Sequence, residues 1–177
     1  MSADRAPEDR RRGLDMPGVL PSRPAILPET DEEDDPGAPR TLVEAADLQA
    51  ATDADAVLLR PPGPVAYDDV EAAAARRQVW VAVESPSEED IMDLVASQAR
   101  RLVVRLGADA GDAEALLALL EPSAVAVELA AGWDAHRHLL DGQDGLAVLC
   151  AEPTAPDAEG WLVYRPDGAG RWRLLEP

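Results

Sequence analysis

After Arg40 the chain alternates between two kinds of segment. Five short runs of valine and leucine recur: AVLLR (56–60), VWVAVE (79–84), RLVVRL (101–106), AVAVEL (124–129) and LAVLC (146–150). Each is apolar at both alternating positions. Strands buried on both faces read this way, as in a parallel sheet covered by helices. The gaps between the runs carry helix signals. Ser85, Pro86 and Glu88 form an N-cap, a first-turn proline and a capping-box acid, followed by Ile91, Leu94 and Val95 at helical spacing. Thr41 with Glu44 forms the same box ahead of LVEAADLQAA, and Asp68 with Glu71 ahead of the alanine-rich AAAARR stretch. Asp112 caps AEALLALL, which Pro122 ends, and Asp134 caps AHRHLL, which Gly142 ends.

The predicted order is therefore one helix, then strand–helix units about 22 residues long, the mark of right-handed crossovers in a parallel sheet. The rule breaks after Cys150. AEPTAPDAEG (151–160) is too short and proline-rich for a crossover helix. Beyond it WLVYRPDGAGRWRLLE alternates, which predicts an antiparallel hairpin of Trp161–Arg165 with Arg171–Leu175. The expected fold is α/β, a parallel sheet of about five strands from tandem βα units with that hairpin. It is either doubly wound or a partial, open (β/α)-barrel-like arrangement. A complete barrel is disfavoured, since such barrels usually need about 200 residues or more. Residues 40–177 form the single domain. Residues 1–39 are proline-punctuated and run into the acidic ETDEEDD (29–35), so they are expected to be a disordered tail. Within them PAIL (24–27) could add a strand or a docking peptide.

The residues that close four successive runs alternate in sign: Arg60, Glu84, Arg105, Glu128, then Cys150. In parallel strands these positions share one level at the carboxyl ends. If chain order is spatial order, each arginine gains a glutamate on a neighbouring strand. A flavodoxin-like order would instead set Arg60 beside Arg105, at a cost of up to about 1 kcal/mol. The alternation leans toward sequential order. The tandem units over residues 41–150, DADAVLLR and ARRLVVRLG above all, resemble pieces of (β/α)-barrel enzymes of the phosphoribosyl isomerase type. The late strands lack the matching glycine-rich phosphate loop, and no active-site residue is carried over.

Composition narrows the function classes. A formal charge of −19, from 16 basic and 35 acidic residues, repels phosphate backbones and anionic lipid surfaces, so neither nucleic acid nor membrane is an expected partner. A basic protein partner, a cation or simple solubility fits better. The lone Cys150 excludes an internal disulfide framework, no apolar run reaches membrane-helix length, and a cytoplasmic location is expected. No GxGxxG, P-loop, GxSxG, HExxH or paired CxxC occurs. GADAGD (107–112) occupies the usual place of a phosphate cradle, but Asp109 and Asp112 argue for a capped turn instead. In WDAHRH (133–138) the two histidines diverge if the segment is helical, so no metal is expected there; Asp134 and His138 then form an ordinary surface pair. Cys150 ends an apolar strand and reads as a buried inert thiol.

Arg60, Glu84, Arg105 and Glu128 are the ligand-binding candidates, because ligands of α/β sheets bind at strand carboxyl ends. The plainer reading is a row of mutually neutralising ion pairs. Trp161, Tyr164 and Trp172 on the hairpin are either an interface patch or its packed face. No catalytic residue and no cofactor is designated. The expected function is non-enzymatic: an accessory or regulatory domain that binds a protein partner or self-associates. The alternative is a small or degenerate barrel-like enzyme with its site at the strand carboxyl ends.

Overall fold

The repeated valine and leucine runs lie side by side and in register around a closed barrel, in strand order one to eight. The computed structural model describes residues 37–49, 51, 54–107, 110–129, 136–151 and 160–175. All belong to the compact unit Pro36–Pro177. The strands are β1 (Thr41–Ala45), β2 (Ala56–Leu59), β3 (Gln78–Ala82), β4 (Arg101–Leu106), β5 (Val125–Leu129), β6 (Ala147–Cys150), β7 (Leu162–Gly168) and β8 (Arg171–Leu174). The helices are α1 (Tyr67–Ala74), α2 (Glu88–Ala96), α3 (Gly111–Leu119) and α4 (Arg137–Leu140), with a 3-10 turn at Pro122–Ala124. Strands β1 to β7 pair parallel, and β8 closes the ring antiparallel to both β7 and β1. The mixed α/β class, the mostly parallel sheet and the terminal hairpin are as expected.

Two expectations about the sheet are overturned. It has eight strands rather than about five, and it closes. The missing strand is Thr41–Ala45, whose TLVEA had been expected to open a helix. The size argument fails because the barrel economises on helices. Among its described residues the β1–β2 link carries none, and β7 returns to β8 by a tight hairpin. Following register partners once round from Ala45 returns to β1 about eight residues lower, the stagger of a full (β/α)8 barrel. An eight-stranded ring of that stagger has a lumen just wide enough to be filled by side chains. Here it holds Leu42, Leu58, Trp80, Val103, Leu149, Tyr164 and Trp172 with small alanines between them. Trp80 and Tyr164 meet edge to face, ring centroids 5.3 Å apart at 76°. The opposite strand faces pack with Val70 of α1, Ile91 and Leu94 of α2, and Leu116 of α3 in an outer apolar layer. Alternation along each strand thus feeds two cores at once, which is why the runs are apolar on both faces.

The helix starts differ in detail. The α2 cap is Ser87, two residues later than expected: its hydroxyl accepts from the Asp90 N–H at 3.1 Å, and the Asp90 carboxylate accepts from the Ser87 N–H at 3.1 Å. Ser85 instead takes a left-handed turn (φ 45°), and its N–H donates to Asp112 Oδ2 at 2.8 Å. Asp112 is therefore a tie between loops and not the cap of α3, which begins after Ala110. Asp68 lies in the first turn of α1 behind Ala66. Val95 turns outward, 39% exposed. Of the expected tail at 1–39, residues 1–36 with the PAIL island lie outside the described residues, as do the Asp134 cap and the Asp134–His138 pair, while the Gly37 and Pro39 carbonyls accept from Gln78 and Tyr164.

Candidate functional site

The four candidates that close the apolar runs do share the carboxyl end of the barrel, and their parity points them inward. Arg60 follows Ala56 and Leu58 of the lumen, Glu84 follows Trp80 and Ala82, Arg105 follows Val103, and Glu128 follows Ala126. Only two of the four touch. The Arg60 Nη2 donates to Glu128 Oε2 at 2.8 Å, reaching across the mouth from β2 to β5. Its Nε meets Glu44 Oε1 of β1 at 3.0 Å. The second Glu44 oxygen accepts from the Trp172 indole N–H at 3.2 Å. Burial works against the Arg60 charge, but Glu128 and then Glu44 outweigh it and hold the guanidinium above its ordinary value. This arginine bridges β1 and β5 over part of the lumen's top. The expected neighbour pairs with Glu84 and between Arg105 and Glu128 do not form; Arg60 pairs instead with Glu128 across the barrel and with Glu44 of adjacent β1. Arg105 and Glu128 are register partners, yet Arg105 is exposed and makes no ion pair among the described residues.

Glu44 is the member that sequence reasoning missed. Its signature was visible: TLVE is an apolar run closed by a charge, like the others, but the Thr41–Glu44 spacing also matches a capping box. The opposite end of the lumen is closed by a second arginine. Arg101 is 4% exposed, and its Nη1 donates to the carbonyls of Val125 and Gly145 at 2.9 Å each and of Pro122 at 3.3 Å. The guanidinium carbon lies 5.2 Å from the Trp80 ring centroid, a cation–π contact. Burial pushes the Tyr164 hydroxyl up to about 12, with Arg101 pulling the other way; that hydroxyl donates to the Pro39 carbonyl at 2.9 Å.

A cleft of about 870 Å³ opens over the ends of β2, β3 and β4, and the lumen residues Ala82 and Val103 form part of its lining. Glu84, Arg105, Tyr67, Asp90 and Asp112 line it together with Arg60. The Tyr67 hydroxyl, pushed up by burial and by the acceptor Asp90, donates to Asp90 Oδ1 at 3.1 Å. Asp90 is held below the usual carboxylate range by the Ser87 hydroxyl and N–H, then by Tyr67. Most of the cleft's polar groups are thus engaged in holding loops. Glu84 and Arg105 are the exposed exceptions.

The three hairpin aromatics are core residues of this chain. Tyr164 (0%) and Trp172 (7%) fill the lumen, and Trp161 (8%) joins the outer layer. Cys150 is a buried cysteine outside any disulfide, in the same outer layer. His136 bonds the Gly107 carbonyl at 2.8 Å, and His138 is exposed. Among the described residues no group of His, Cys, Asp or Glu is arranged to hold a metal ion, and no helix is long and apolar enough to cross a membrane. No family model matches the chain, and neither a curated protein nor a solved structure matches it.

Proposed function

We propose that this barrel is a non-enzymatic domain that acts by binding a protein partner or a second copy of itself through its outer surface. The observation that carries the reading is the ion-pair bridge over the filled lumen. Where a (β/α) barrel ordinarily places its chemistry, Arg60 joins Glu44 to Glu128 and the space beneath is filled by Leu58, Trp80 and Tyr164. Those carboxylates are committed to a guanidinium, which leaves neither of them available as acid or base. A cytoplasmic location belongs to the same proposal, in keeping with a sequence whose lone Cys150 allows no internal disulfide. Light scattering on the purified full chain, with affinity capture and identification of retained proteins, tests it. A defined partner or a stable oligomer is expected. A strict monomer that retains nothing would overturn the reading.

A second reading is supported by the side cleft over β2–β4, where Glu84 and Arg105 offer one acid and one base partner for a small zwitterionic or anionic ligand. Under that reading, Glu84→Gln abolishes ligand binding or turnover and leaves the melting temperature unchanged. A screen of small-molecule ligands in which no compound raises the melting temperature of the wild type would sink it.

A further inference from the structure

The amino-terminal end of the barrel reverses the charge of the rest of the chain. A groove of about 1100 Å³ runs from the start of β3 and β4 to the outer face of β1. Among the described residues five arginines line it, Arg40, Arg76, Arg77, Arg100 and Arg171, against the one carboxylate of Asp55. The chain has 16 basic and 35 acidic residues, so an unselected surface would show about two carboxylates for each arginine. Among its described residues the β1–β2 connection has no helix. The outer face of β1 there packs only against a small cluster of Leu48, Ala51, Ala54 and Val57, which leaves Val43 half-buried beside its register partner Arg171. Arg77 is committed to the frame, donating to the carbonyls of Leu48, at 2.6 Å, and Ala51. Arg40, Arg76 and Arg171 are exposed and make no ion pair among the described residues.

We infer that this groove takes an extended acidic segment of a partner protein. The inference rests on the reading of the domain as a binding module and names its surface. It also replaces the basic partner that overall charge suggested, because local charge decides a contact inside a Debye length of about 8–10 Å. The five guanidiniums come from four places: one before β1, two after α1, one before β4 and one at the start of β8. A single phosphate needs donors converging on one point, whereas arginines spread along an open trough suit carboxylates spaced along a chain. A long polyanion such as nucleic acid is disfavoured, since beyond the groove it meets a surface that repels it.

The test uses the full chain and a fluorescent glutamate-rich peptide of about ten residues, followed by anisotropy at low and high salt. Binding that weakens with salt is expected, and R40Q/R76Q/R171Q reduces affinity roughly 10- to 100-fold. R137Q, at the opposite end of the barrel, leaves it unchanged. All three altered side chains are exposed, so the variant melts with the wild type; a matching melting curve establishes that any loss is local. Equal affinity in the triple variant overturns the inference, as does tighter binding of a single-stranded oligonucleotide, or displacement of the peptide by inorganic phosphate alone at equal ionic strength. If the triple variant still holds the partner that wild type captures, the groove is not the surface and the inference falls, but the binding reading stands. A lone monomer with no partner removes that reading itself.

Discussion

Trp80→Leu tests the filling of the lumen. Trp80 is fully buried, meets Tyr164 edge to face at 5.3 Å and lies 5.2 Å under the Arg101 guanidinium. Truncation of such a side chain to alanine costs about 3–5 kcal/mol. Leucine refills part of the space, so the cavity contribution falls to about 1–2 kcal/mol. The ring contacts are lost whatever replaces them: about 0.5–1.5 kcal/mol for the aromatic pair and about 0.5–1 kcal/mol or more for the cation–π contact. The expected loss is about 3 kcal/mol, or about 10 °C in melting temperature for a chain of this size. Urea unfolding followed by far-UV circular dichroism measures it. The substitution of exposed Met92 by alanine is the control and should change stability by less than about 0.5 kcal/mol. A double-mutant cycle of Trp80→Leu with Tyr164→Leu isolates the pair, with a coupling of about 1 kcal/mol expected. A loss under about 1 kcal/mol, or strict additivity in the cycle, would mean that the two rings do not share an enclosed lumen.

The other predictions concern the closures and the loops. Arg60→Met leaves Glu44 and Glu128 facing each other without their cation and should cost about 1–2 kcal/mol at neutral pH, discounted for partial exposure; the penalty should shrink in the Glu44→Gln background. Tyr164 is held neutral in the fold up to about pH 12 while the unfolded hydroxyl ionises near 10. Its contribution is therefore complete below pH 10 and lost as pH rises toward 12, and Tyr164→Phe should flatten that alkaline step in a pH series of melts. Ser87→Ala removes the α2 cap and should cost about 1 kcal/mol. The depressed Asp90 carboxylate stabilises the same cap above the usual carboxylate range, and that contribution disappears as pH falls through its folded value.

Much of the frame was legible from residues 56–150, because a strand buried on both faces has no polar position to hide it. Five strands, their common direction and the inward arginines and glutamates at their ends all follow from that pattern. Thr41–Ala45 was not legible as a strand, because Thr41 and Glu44 satisfy a helix cap as well as they satisfy a strand with a charged end. Closure depends on that one segment: without β1 nothing joins the outer edge of β8 to β2. The rim ion pair was half legible. Sign alternation pointed to sequential order, but partner choice depends on reach across a narrow mouth, and sequence spacing carries no information on that. The arginine groove was invisible, since Arg40, Arg76, Arg100 and Arg171 are scattered along the chain and converge only through the barrel's winding.

The mouth, the lumen and the groove all depend on the β1–β8 seam. Thr41 and Arg173 are Cα partners across it, facing outward as a non-hydrogen-bonded antiparallel pair, where the Cα separation of about 4.5 Å suits a disulfide. With Cys150 replaced by alanine, Thr41→Cys with Arg173→Cys should form an intramolecular bridge in the folded protein under mild oxidation, visible as a faster-migrating band on a non-reducing gel and as free-thiol loss. A pair that stays reduced while the protein remains folded, or that cross-links only between molecules, would contradict the closed barrel and the account built on it.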